Sequence, residues 1–260
     1  MRMIHPAAWV GLLLNAVLAF IFFHALEVMD LATLEAAQRE AWGELKTFIL
    51  DTVRPLYLML LLMQTVALVL MVYRAPFALP LAFIGGLLTI PVGFVYLLGS
   101  LLTHYQVRYA DFVVAPEGHA GAYHIFPAFA VKRMRILTSA SFIAFGMLFI
   151  MQNLQMAASF LALALVGLYS VLRAGKNHAL ALYNEGLTLT PGVLAPTLML
   201  PYSNITLATL HENDVIQFEV STPGGSRSLV WPLHTVAPGQ RREAIEELGA
   251  ALDARGVPLQ

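Results

Sequence analysis

The chain has 260 residues, of which 58% are hydrophobic and 12% charged, with a formal net charge of -1 and no cysteine. An ordinary soluble domain carries about 25% charged residues, so this composition, with a mean hydropathy of +0.71, is that of a membrane protein. The charge balance offers no basic excess for nucleic acid, and the missing cysteine excludes disulfides, thiolate nucleophiles, iron–sulfur clusters and cysteine zinc sites within the chain.

The first apolar run covers 7–26 and is interrupted only by Asn15 and His24. Arg2 ahead of it imitates a signal peptide, but the apolar core is too long and no clean small-x-small cleavage site follows, so a span is expected. Residues 30–54 set Leu31, Leu34, Trp42 and Leu45 among charges, which predicts an amphipathic helix along the interface. The runs 55–73, containing Gln64, and 75–102, free of charge, each supply the roughly 20 residues that cross a bilayer of about 30 Å. Residues 136–172 carry no charge, exceed one crossing and hold Gln152, Asn153 and Gln155 at their centre, which predicts a helical hairpin of two short spans. About five transmembrane helices result.

With five spans the chain ends face opposite sides. One side then receives Arg39, Lys46, Arg54, Arg108, Lys132, Arg133, Arg135, Arg173 and Lys176, the other only Arg2 and Arg74. Cytoplasmic loops hold the excess of Lys and Arg. The expected arrangement is therefore multi-pass, with the N-terminus on the outer side (periplasmic in a bacterial inner membrane, which the resemblance below implies) and the C-terminal domain cytoplasmic.

Beyond residue 177 the pattern changes. "HALALYNEGLTLTPG" alternates apolar and polar positions about Asn184-Glu185-Gly186, where glycine can supply the positive φ of a tight reversal. "VIQFEV" sets Ile216, Phe218 and Val220 on one strand face, and "STPGGS" turns the chain into "RSLVWPL". Roughly six short antiparallel strands are expected. Ile245, Leu248 and Leu252 then form a helical stripe with Gly256 as its stop. The expected fold class is α+β: about five transmembrane helices, then a small antiparallel barrel or sandwich capped by a C-terminal helix. The expected organisation is 1–104 a three-helix membrane region, 105–135 a strand-rich linker, 136–172 the hairpin and 177–260 the soluble domain.

"HALALYNEGLTLTPG", "LPYSNI", "VWPL" and "RREAIEELGAAL", with "YHIFPAFAVKRMRILTSASFIAFGMLFI" upstream, resemble bacterial membrane proteins with a pleckstrin-homology-like (PH-like) domain. The resemblance rests on Glu185-Gly186 and on Tyr202-Ser203-Asn204-Ile205 and covers about 122–260. It implies a PH-like fold for the soluble part, with the strand ahead of the hairpin joining it, and it implies no activity.

Candidate chemistry is sparse. His24 and His104 are the residues that would grip a b-type haem, with Glu27 adding a metal ligand, yet polar residues at span ends commonly meet water and headgroups and no cofactor is expected. Asn15 and Gln64 read as an interhelical hydrogen bond rather than a transport pathway. Pro80, Gly85, Gly86, Pro91, Gly93 and Gly99 interrupt the third run as transporter helices are interrupted, without a buried charge beside them. Lys132, Arg133, Arg135, Arg173 and Lys176 are candidates for contact with anionic lipid or a partner, positive-inside anchoring accounting for them as well. His211, Glu212 and Asp214, and His119 with His124, read as solvated turns. No enzyme constellation emerges. The expected function is a non-enzymatic membrane protein whose cytoplasmic domain binds a protein partner or assembles a membrane complex, through a strand edge or through Trp231 and Tyr202 if these are not core. The alternative is a transporter-like, haem-binding or metal-binding subunit built on the first three helices.

Overall fold

The computed structural model describes residues 4–32, 35–89, 93–115, 121–128, 130–151, 154–174, 178–192, 194–257 and 259–260. Arg2, Leu34, Pro91, His119, Gln152, Asn153 and Lys176 lie outside the described residues, as do the side chains of Lys132, Arg133, Gln155 and Arg173. The chain divides into two units, Met1–His104 and Tyr105–Gln260.

In the first unit, helix α1 (Pro6–Val28) starts at a proline, whose missing N–H costs nothing there. The His5 ring caps it, Nδ1 accepting from the Ala7 N–H at 3.2 Å. Helix α2 (Ala36–Phe48) is not a separate interfacial helix. It runs through a π-helical turn, Ile49–Val53, into α3 (Arg54–Val72), giving one rod from Gln38 to Val72. Pro55 lacks the N–H that an α-helix needs at that point, and the wider turn absorbs the defect. Helices α4 (Ala78–Leu87) and α5 (Gly93–Arg108) follow.

Side-chain contacts fix the depth of each helix along α1. At its C-terminal end, Arg54 pairs with Glu27, and Lys46 donates to the Glu27 and Met29 carbonyls at 2.9 and 3.1 Å. Halfway along, Asn15 meets Gln64. Near its N-terminal end, Ala8 shares a core with Met71 and Ala78. Helix α4 then returns towards the middle, where Gly85 faces the Gln64 side chain and Thr89 reaches Asn15. Helix α5 reverses again: Tyr96 lies on Gly11, Gly99 on Ala8, and the His5 N–H donates to Thr103 Oγ1 at 3.0 Å. The α4–α5 pair is therefore a hairpin that enters from the N-terminal end of α1, turns at mid-depth and leaves by the same end.

This overturns the five expected spans. Among the described residues two helices are long and apolar enough to cross a membrane, Pro6–Val28 and Gln38–Val72, with mean hydropathies of 2.1 and 2.2. Ala78–Leu87, Arg135–Ile150 and Leu163–Leu172 are shorter. Residues 75–102 have the length of a span, but chain length says nothing of direction. A Cβ at Gly93 would lie closer than 3 Å to the Gly86 carbonyl, so only glycine permits the chain to fold back so tightly.

The second unit begins with β1 (Val113–Val114) and β2 (His124–Pro127), followed by α6 (Ala130–Ile150) and α7 (Leu154–Ala174), which pack on each other where Gly167 meets Thr138. Strands β3 (His178–Leu182), β4 (Gly186–Leu189), β5 (Leu198–Pro201), β6 (Ile205–His211), β7 (Val215–Thr222) and β8 (Gly225–Pro232) lead to α8 (Arg241–Asp253). The order is β1-β5-β4-β3-β2 in one antiparallel sheet and β6-β7-β8 in the other. The α6–α7 hairpin is thus inserted between two strands, β2 and β3, that pair with each other.

The expected barrel does not close. A 3-10 turn at Tyr202–Asn204 carries the chain from one sheet to the other, and β1 and β2 of the first sheet and β6 and β8 of the second are edge strands. Two local expectations also change. Strands β3 and β4 are buried along their whole length rather than half-wet, because their polar positions bond each other, His178 with Thr188; just beyond β4, Thr190 bonds Thr197, which precedes β5, at 2.9 Å. Gly186 has no positive φ. A Cβ there would stand 2.6 Å from the Leu200 carbonyl, so glycine serves the close approach of β4 to β5. Positive φ appears instead at Gly225 (106°) in the β7–β8 turn and at Gly256 (76°) after α8.

Candidate functional site

The turn between α4 and α5 carries the most concentrated polar chemistry of the first unit. Asn15 from α1, Gln64 from α3 and Thr89 from the turn converge there, with Asn15 and Gln64 at 0% exposure. Asn15 Nδ2 donates to Gln64 Oε1 at 3.1 Å and to Thr89 Oγ1 at 3.3 Å. Gln64 Nε2 donates to the Gly85 carbonyl at 2.9 Å and to Thr89 Oγ1 at 3.0 Å. The Thr89 hydroxyl lies 3.1 Å from both the Gly85 and Gly86 carbonyls. From α5 the buried Tyr96 hydroxyl donates to the Gln64 carbonyl at 2.7 Å.

A broken helix frees carbonyls that lipid cannot satisfy, and here the two amides and the threonine satisfy them. Each such bond stabilises a helix assembly by about 0.6 kcal/mol on average, so the set locks the turn to both long helices. The expected Asn15–Gln64 bond is therefore present as part of a larger cluster. Thr89 and Tyr96 were not singled out from the sequence. The available signal was that Thr89 and Ser100 are the only serine or threonine side chains in 75–102.

The haem reading fails on geometry. His104 lies in the last two turns of α5 beside Thr103, which bonds His5, whereas His24 lies 19 residues further along α1. At 1.5 Å per residue that is about 28 Å, too far for one group to bridge. His24 is exposed and stacks on Phe20, their ring centroids 5.8 Å apart. Glu27 is engaged by Arg54 rather than poised as a ligand. Among the described residues no three His, Cys, Asp or Glu side chains are grouped to hold a metal.

In the second unit the polar turns serve structure. His211 Nε2 lies 3.2 Å from Gln217 Oε1, Asp214 pairs with Arg241 at 3.2 Å, and His124 stacks on Phe126 and stands 3.6 Å from Glu243. Trp231 and Tyr202 are core residues, not surface anchors. Burial pushes the Tyr202 phenol up from its ordinary value, and the Arg255 guanidinium lies 4.0 Å over its ring. Of the basic group, the described Arg135 side chain is exposed.

What remains open is strand edge. The β6 edge is taken by the C-terminal residues: Leu210 N–H donates to the Gln260 carbonyl at 2.7 Å, and Gln260 N–H to that of Ala208 at 3.0 Å. Beyond β2 the chain bridges Ala128 to Val236. Among the described residues strand β1 bonds only β5, and its valines are 64% and 59% exposed. Arg227 of β8 reaches Asp111, just before β1, at 3.3 Å. No family model, no curated protein and no solved structure matches the chain, so neither a family nor a relative's site is carried over to these residues.

Proposed function

We propose that this is a non-enzymatic membrane protein whose helical first unit holds a cytosolic β unit at a bacterial inner membrane, where the β unit recruits a protein partner into a membrane complex. The observation that supports it is the β1 edge. An edge strand with one open side and exposed apolar side chains is normally covered or charged, and a partner's extended segment covers it by adding a strand. The resemblance of 122–260 to bacterial PH-like membrane proteins is carried into this proposal as kinship, without a closed barrel.

The orientation follows from the fold-back of α4–α5. The N-terminal end of α1, the turn at 73–77 and the C-terminal end of α5 lie at one end of the helical unit, and the sequence next to these points and to the α6–α7 hairpin ends holds Arg2, Arg74, Arg108, Lys132, Arg133, Arg135, Arg173 and Lys176. The connection between α1 and α3 holds Arg39, Lys46 and Arg54. Eight cations against three support a cytosolic β unit, with the N-terminus on the same side.

The test is affinity purification from native membranes of the natural chain, a Val113→Lys/Val114→Lys variant, and a Ser221→Lys control on exposed β7. A specific companion protein should travel with the natural chain and the control and fall at least tenfold with the double variant. Equal recovery on all three would refute docking at this edge.

A further inference from the structure

We propose that the α4–α5 turn is a sodium site, formed by Asn15 Oδ1, Gln64 Oε1, Thr89 Oγ1 and the carbonyls of Gly85 and Gly86. The proposal goes beyond partner recruitment and stands independently of it.

Donors and acceptors do not balance in the cluster. Asn15 and Gln64 spend their amide hydrogens on Gln64 Oε1, Thr89 Oγ1 and Gly85 O, the Gly86 carbonyl accepts from the Thr89 N–H at 3.3 Å, and the Thr89 hydroxyl lies within reach of both carbonyls, which leaves one acceptor over. Asn15 Oδ1, wholly buried, has no hydrogen-bond partner among the described residues. An unmet amide oxygen in a dry interior costs about 1–3 kcal/mol, so its retention calls for a ligand that oxygen alone binds.

The spacing of the atoms selects that ligand. A half-turn of the Asn15 amide puts Oδ1 where Nδ2 stands, 3.1 Å from Gln64 Oε1 and 3.3 Å from Thr89 Oγ1. Without an ion that arrangement sets oxygen against oxygen. With a cation held at about 2.3–2.4 Å by hard oxygen ligands, neighbouring ligands are spaced by roughly this distance. The amide therefore has two orientations, and the ion selects between them. A larger ion such as potassium would need the oxygens further apart.

Charge decides the valence. The oxygens named are all neutral, and Mg²⁺ or Ca²⁺ sites lean on carboxylates, so a monovalent ion fits. Gly85 and Gly86 lie at the C-terminal end of α4, where the helix dipole is negative. Half-helix ends and unwound carbonyls hold Na⁺ at mid-membrane in just such breaks.

The test measures thermal unfolding of the full purified chain in detergent, with NaCl replacing choline chloride at fixed ionic strength. Ligand linkage predicts a midpoint that climbs by about 2–4 °C as Na⁺ saturates, with KCl giving less than half of that. Asn15→Leu and Thr89→Val should lose the climb while keeping their helical circular dichroism, and Thr89→Ser should keep it. Equilibrium binding of radioactive sodium to the natural chain gives a second readout independent of variant folding, with about one ion per chain expected. A midpoint indifferent to the cation, no bound sodium, or an unchanged climb in Asn15→Leu would overturn the proposal, the unmet oxygen then being served by water.

Discussion

Gly99→Ala should collapse the helical unit. A Cβ at that position falls closer than 3 Å to the backbone of Ala7 and Ala8, and backbone cannot swing aside as a side chain can. Overpacking usually costs about 1–3 kcal/mol, and with a rigid neighbour the upper end or more is expected, because α1 and α5 must separate and take the His5–Thr103 bond with them. Gly11→Ala should behave alike, its Cβ striking the Tyr96 backbone. Gly43→Ala is the contrast. Nothing lies within 4 Å of its Cβ, so alanine should stabilise α2 by up to about 1 kcal/mol. Unfolding in detergent, followed by helical circular dichroism, reads all three.

Trp231→Ala should be the most damaging single change in the β unit. The indole is the largest fully buried side chain, sharing a core with Phe218, Leu229 and Leu248. Removing such a ring costs about 3–5 kcal/mol, set by how little the cavity collapses. Trp231→Phe should cost much less, since Nε1 has no hydrogen-bond partner to lose. If the phenylalanine variant proved as unstable as the alanine one, the indole N–H would have a structural role that this account denies. Thermal unfolding followed by near-ultraviolet circular dichroism separates the two outcomes.

Residue chemistry announced some elements and hid others. The period-two pattern at Ile216, Phe218 and Val220 is buried as a strand face, and the stripe of α8 buries Leu248 and Leu252, because one apolar face sufficed to define each. The full burial of β3 and β4 was not legible, since it depends on His178 finding Thr188 across the strands. Glu185-Gly186 signalled a reversal correctly placed but for the wrong reason, the glycine serving sheet contact rather than backbone freedom. Asn15 and Gln64 were visible as polar residues in apolar runs. Their third partner Thr89 was not, because nothing local says that the 75–102 run turns back at mid-depth. The same blindness to direction produced five spans and the pairing of His24 with His104.

The fold-back of α4–α5 is the claim on which orientation and the sodium site both depend, and single-cysteine labelling tests it most directly, since the natural chain has no cysteine to confuse the signal. Glu44→Cys on exposed α2 and Ser221→Cys on exposed β7 would be treated with a membrane-impermeant maleimide, in intact cells and in inverted membrane vesicles. The account predicts that cysteine 44 is labelled only in intact cells and cysteine 221 only in inverted vesicles. Labelling of both from the same side would mean that α4–α5 crosses the bilayer rather than returning, and would contradict it.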